Sequence, residues 1–152
     1  MILGPDIQQF NIDYMYLFNP VKNNVIEDSR FIRIIYSNNH FVLNASYIFF
    51  NFFDTVTFEA YYNKYKCSFD VTRNSDIINQ LKIIEEQILH KLNYSHKMPK
   101  FLINDQLTVG TIKLFEPRKD KNSFILKISG IWETDTHYGL TYKFLTAGEE
   151  YK

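Results

Sequence analysis

The amino-acid sequence predicts a mainly β domain with one central helix, closed into a small barrel. Three observations carry that expectation. Alternating apolar residues recur in short runs on both sides of the chain's middle, one central stretch repeats its apolar residues with helical spacing, and no linker divides the 152 residues into two domains. A barrel closes its own strand edges, and a lone amphipathic helix hides its apolar stripe against one barrel opening.

Residues 1–28 hold scattered aromatics, Phe10, Tyr14, Tyr16 and Phe18, broken at Asn19-Pro20 and Asn23-Asn24, and predict no more than a short strand. Ser29 to Tyr36 alternates, with Ile32, Ile34 and Tyr36 opposing Phe31, Arg33 and Ile35. Ser37-Asn38-Asn39 then turns the chain into a second strand from His40 to about Phe50. From Val56 the apolar parity runs through Phe58, Ala60 and Tyr62, then shifts to Tyr65, Cys67, Phe69 and Val71. One extended segment, bulged or bent near Asn63-Lys64, is the expectation. Asn74-Ser75 opens the helix, with Ile77, Leu81, Ile84, Ile88 and Leu92 on one stripe, Lys82, Glu85, Glu86 and Lys91 elsewhere, and an end near Asn93.

After a loop through Met98-Pro99, strands are expected at about Leu107 to Phe115, Phe124 to Trp132 and Tyr138 to Leu145. The last two form a hairpin turning on Glu133-Thr134-Asp135-Thr136, and residues 146–152 form a short tail. Phe124, Leu126 and Ile128 face the core, and Ile125, Lys127, Ser129 and Ile131 face away. On the final strand Tyr138, Leu140, Tyr142 and Phe144 oppose Gly139, Thr141, Lys143 and Leu145. This count of strands around one helix, in a chain too short for a sheet covered by helices on both faces, is that of an OB fold. That fold is a five-stranded, partly open Greek-key barrel capped by a helix. An open sheet crossed by the helix is the alternative.

Composition narrows the function classes. The chain is 45% hydrophobic, as a soluble globular protein is, and its 17 basic and 17 acidic residues cancel, so any nucleic-acid binding must come from a local arrangement of charge. No apolar run reaches membrane-spanning length, MILGPDIQQF lacks the pattern of a secretory signal, and Cys67 is the lone cysteine; together these predict an intracellular protein with no membrane partner. Abundant Asn, Ile, Lys, Phe and Tyr with scarce Ala, Gly and Pro read as A/T-rich coding, a bias common in viruses and cytoplasmic genetic elements.

The outward-facing positions point to a binding function. Opposite the apolar parity lie Arg33, Lys66, Lys113, Lys127 and Lys143, interleaved with Phe31, Tyr61 and Phe115 and with few acids, Glu59 and Asp70. Cations that follow phosphates and aromatic faces that stack on bases suit a groove for a single nucleic-acid strand. Trp132 shares the parity of Phe124, Leu126 and Ile128 and is expected in the core, unless Gly130 marks a bulge that turns the indole outward into the site. Lysines on strand faces also serve solubility and edge protection, so a structural or protein-interaction barrel is the alternative.

Catalysis is not expected, and neither is a cofactor or a metal. Five glycines supply no phosphate loop, and no Gly-x-Ser-x-Gly elbow occurs. His40, His90, His96 and His137 show no metal-ligand spacing, and Glu85-Glu86, adjacent on the helix, project in different directions and are expected to solvate it.

The stretch Ile128-Ser129-Gly130-Ile131-Trp132, followed by Tyr138-Gly139-Leu140-Thr141-Tyr142-Lys143, resembles the terminal hairpin of podophage-type single-stranded DNA-binding proteins. It is closer still to that of their counterparts in large nucleo-cytoplasmic DNA viruses. The shared pattern is Gly-x-Trp, a polar turn, then aromatic-Gly-Leu-x-aromatic-Lys, over about a tenth of the chain. The resemblance implies a helix-bearing OB fold that coats single strands during replication and recombination; single-stranded DNA or RNA, replication proteins and further copies of the chain are the partners expected. The phage members end in a long acidic tail closed by an aromatic residue, whereas this chain ends Gly148-Glu149-Glu150-Tyr151-Lys152, a departure that puts tail-mediated recruitment of polymerase in doubt.

Overall fold

The structure is a computed structural model that describes residues 6–23, 28–38, 42–53, 56–116 and 122–147. A 3-10 turn at Ile12–Tyr14 precedes β1 (Met15–Leu17), β2 (Val21–Lys22), β3 (Arg30–Ser37), β4 (Val42–Leu43), β5 (Ser46–Asn51), β6 (Thr57–Tyr61) and β7 (Lys64–Ser68). Helix α1 (Ser75–Leu92) follows, then β8 (Met98–Lys100), α2 (Leu102–Val109), β9 (Thr111–Leu114), β10 (Ser123–Glu133) and β11 (His137–Thr146). The protein is mainly β with two helices, and its larger sheet curls into a half barrel. Among the described residues two helices replace the single one expected, and strands in an eight-stranded and a three-stranded sheet replace the five of the expectation.

β10 is the spine of the larger sheet. One edge pairs along its length with β11, while the other pairs first with β5 (Ser123↔Asn51 to Ile128↔Ser46) and then with β3 (Gly130↔Arg33 to Glu133↔Arg30). The register with β11 slips between Ile128 and Gly130, so Ser129 is the extra residue of a β-bulge placed where β10 changes partner. Gly130 is required there, because a Cβ would overlap the Ile32 carbonyl oxygen and the Phe31 ring. The bulge resets the alternation. Ile131, expected outward, packs in the core, and Trp132, expected inward, turns out of the core and lies half-buried.

Other expectations are corrected in the same way. The strand expected from His40 to Phe50 divides at Asn44-Ala45 into β4, which completes a hairpin with β3, and β5, which crosses to β10; Asn39, His40 and the tail from Gly148 lie outside the described residues. The bent segment from Val56 to Val71 is instead the hairpin β6–β7, whose turn places Tyr62 in the left-handed region at φ 56. Its second strand, β7, also pairs with β9 to form the smaller sheet. The expected strand from Leu107 to Phe115 is α2 in its first part, and the expected loop through Met98-Pro99 is β8, parallel to β11. Glu133, assigned to the turn, ends β10 and is buried.

Helix α1 follows its sequence closely. Leu81, Ile84 and Ile88 are buried, with Ile77 and Leu92 packed at the margins, and Asn93 caps the end in the left-handed conformation at φ 45. Asn74 does not cap the start with its side chain; its Oδ1 accepts from the Phe53 backbone N–H at 2.6 Å and its Nδ2 donates to the Asp70 carbonyl at 2.8 Å. The helices pack on each other and on β11, and α2 also meets β9. The core between them and the curled sheet includes an aromatic cluster in which Phe50, Phe52, Phe124 and Phe144 meet at centroid separations of 5.2 to 6.1 Å.

Glu85 is fully buried, contrary to the expectation that it solvates α1. Its two carboxylate oxygens accept from the backbone N–H groups of Ile103 at 2.9 Å and Asn104 at 3.0 Å, two of the orphan donors at the start of α2. A carboxylate from another helix therefore does the capping that no side chain of α2 supplies.

Candidate nucleic-acid interface

The half barrel's outer face is built by register. Antiparallel partners point to the same side, so Val21, Phe31, Trp132 and Gly139 form one row across β2, β3, β10 and β11. Arg33, Gly130 and Thr141 form the next, and Tyr47, Lys127 and Lys143 the one beyond it. Trp132 lies flat over its neighbour, since a Cβ on Gly139 would sit 2.8 Å from the indole Cζ2. Gly139 thus seats Trp132 as Gly130 seats Phe31. Lys127 places its Nζ 5.7 Å from the centroid of the Tyr47 ring.

Lys127 and Lys143 stand directly opposite one another. Like charges in that relation oppose folding, and no carboxylate comes within ion-pair distance of either among the described residues. The smaller sheet repeats the arrangement: Lys66 and Lys113 are direct partners across β7 and β9, with Glu59 on the far side of Lys66. Tyr61 pairs with Lys64, whose Nζ lies 5.7 Å from the Phe115 ring. Glu59, Tyr61, Lys64, Lys66, Lys113 and Gln106 of α2 line a cavity of about 400 Å³.

On the opposite side of the sheet from Trp132, at the end of β10, the charges are matched instead. Arg30 pairs with the buried Glu133, Lys97 Nζ lies 3.4 Å from its Oε2, and the same ammonium sits 4.7 Å from the Tyr94 ring centroid. Burial pushes the Glu133 carboxyl up, but hydrogen bonds with Tyr94 and Arg30 and the positive charges of Lys97 and Arg30 outweigh it and hold the group below the usual carboxylate value. Burial, with the Glu133 hydrogen bond, pushes Tyr94 up to about 12. Burial likewise raises Glu85 to about 7, against the lowering effect of its two backbone N–H partners, and raises Tyr142 to about 12 with Glu85 and Asp105 adding to the rise. Tyr142 donates to Gln106 Oε1 at 2.6 Å, tying β11 to the cavity wall.

All five outward cations expected from the sequence are on strands, Lys127 partly covered and the other four exposed, but they fall into two groups. Arg33, Lys127 and Lys143 share the larger sheet's outer face with Phe31 and Trp132, whereas Lys66 and Lys113 belong to the smaller sheet with Tyr61 and, just past β9, Phe115. Tyr47, Lys64 and Gln106 were missed. Tyr47 was legible as an outward position between Ile48 and Ser46, and Lys64 was hidden by the reading of its turn as a bend. Among the described residues no group of three or more His, Cys, Asp or Glu is placed to hold a metal ion, and no helix is long and apolar enough to cross a membrane. No family model, curated protein or solved structure matches the chain.

Proposed function

We propose that this protein binds single-stranded DNA without sequence preference, on a half barrel of the OB type, and coats strands during replication or recombination of a virus or autonomous replicon. The observation that carries the reading is the doubled lysine pair. Lys127 faces Lys143 and Lys66 faces Lys113, each pair unmatched by an ion-paired acid among the described residues and each beside aromatic rings. Opposed lysines repel in the free protein, and a phosphate backbone between them turns that repulsion into attraction. Tyr47 offers a ring face next to the first pair, with Phe31 and Trp132 two rows further along the same face, and stacking on them tolerates any base. The resemblance of the β10–β11 hairpin to that of podophage-type proteins supports the same role. It brings replication proteins and further copies of the chain as proposed partners, in a non-enzymatic, intracellular setting.

Titration of labelled oligo-dT at low and high salt, beside duplex of equal length, tests the proposal. Saturable binding that weakens with salt and prefers the single strand is expected. No saturable binding at either salt overturns it in favour of a structural or interaction module, and equal affinity for duplex reduces it to a generic basic surface.

A further inference from the structure

The two lysine pairs sit in different surroundings, and the second lines a cavity open to solvent. Lys66 and Lys113 are direct cross-strand partners, so their Cβ atoms are about 5 Å apart. Lys64 precedes Lys66 by two positions on β7, hence on the same face and about 7 Å along it. All three line the cavity of about 400 Å³, a volume in the range of small-molecule sites. Against these three lysines the cavity holds one carboxylate, Glu59, so its formal excess is two positive charges. A phosphodiester within a strand carries one negative charge, whereas a phosphate monoester carries about 1.5 to 2 at neutral pH. The remaining walls suit a nucleobase. Tyr61 presents an exposed ring on the row of Lys64, and Gln106, whose carbonyl oxygen is engaged by Tyr142, keeps its amide N–H pair to donate.

We infer that this cavity binds a nucleoside phosphate monoester, with Lys64, Lys66 and Lys113 around the phosphate and Tyr61 and Gln106 on the base. The inference extends the single-strand reading to a site for the phosphorylated end of a strand, and the same chemistry admits a free nucleotide. Calorimetric titration of the full chain with dTMP, thymidine, and oligo-dT with and without a phosphate at either end tests it. Binding of dTMP is expected, with thymidine at least about tenfold weaker, and Lys66→Gln or Lys113→Gln each weakening dTMP by about tenfold while Lys82→Gln, on the exposed side of α1, leaves it unchanged. Tighter binding of phosphorylated oligo-dT, lost in Lys113→Gln, assigns the cavity to strand ends; dTMP binding without an end preference assigns it to free nucleotide. Equal affinity for dTMP and thymidine, or dTMP binding unaffected by Lys113→Gln, overturns the inference. Oligo-dT that binds regardless of end phosphate, with no dTMP binding, removes the cavity and leaves the single-strand proposal standing. Binding of dTMP with no oligo-dT binding does the reverse.

Discussion

Two buried glutamates anchor two regions by opposite electrostatics. Glu133 sits at the end of β10, on the inward side of the larger sheet, between Arg30 and Lys97, with its carboxyl held below the usual value. Glu85 sits beneath α2, which forms part of the cavity wall in the smaller region, and is answered only by backbone N–H dipoles, so burial raises it to about 7. Partial charges at a helix start offset less of the desolvation of a carboxylate than two cations do. The end of the larger sheet is therefore secured by an ion cluster behind its outer face, and the cavity wall by a group whose charge state changes near neutrality.

The most damaging test of the outer face is Gly130→Ala. A methyl group there meets the Ile32 carbonyl and the Phe31 ring, so the bulge must shift and with it the outward turn of Trp132. A loss of about 3 kcal/mol or more is expected in chemical denaturation. A change within about 0.5 kcal/mol would show that the bulge does not need the glycine.

The two carboxylates predict opposite pH slopes. The raised Glu85 binds more protons folded than unfolded between its ordinary value of 4.5 and about 7, so its contribution falls as pH rises through that window, by on the order of 3 kcal/mol. The lowered Glu133 binds fewer protons folded, so its contribution is present above pH 4.5 and is lost as pH falls below it. Thermal midpoints measured from pH 5 to 7 should decline less in Glu85→Gln than in the wild type. Parallel profiles would mean that Glu85 does not titrate in that range.

Trp132 separates the outer face from the core. Because the bulge removes it from the core, Trp132→Ala should cost oligo-dT binding about 1 to 3 kcal/mol, and stability less than the roughly 3 to 5 kcal/mol of a core tryptophan. Saturating oligo-dT should quench its fluorescence, and an unchanged emission would take it out of the site.

How far these regions were legible follows from how local their causes are. The β10–β11 hairpin and α1 are written in alternation and in 3.6-residue spacing, and Gly130 carried a visible warning of the bulge. The β6–β7 hairpin was mistaken for a bent strand because a two-residue turn pairs Ala60 with Tyr65 and Phe58 with Cys67, which shifts the apolar parity just as a one-residue bulge does. The face of Lys66 survived that error, since parity fixes a face whichever partner the strand takes. Helix α2 was not legible, because its start is capped by a side chain from α1 across a sequence separation of 18 residues. Glu85 was misread for the same reason: nothing near it in sequence shows the N–H groups it meets. The division of the cations into two groups also lay in sheet pairing, which periodicity does not reveal.

The proposed strand binding depends above all on Lys127 and Lys143 meeting phosphates, and the salt dependence of oligo-dT binding tests for that contact. For single strands the logarithm of affinity falls against that of salt with a slope of about −0.7 per phosphate neutralised. Replacing both lysines by alanine should make the slope shallower by about 1.4. A slope equal to the wild-type value would contradict the assignment of the outer face as the strand-binding surface.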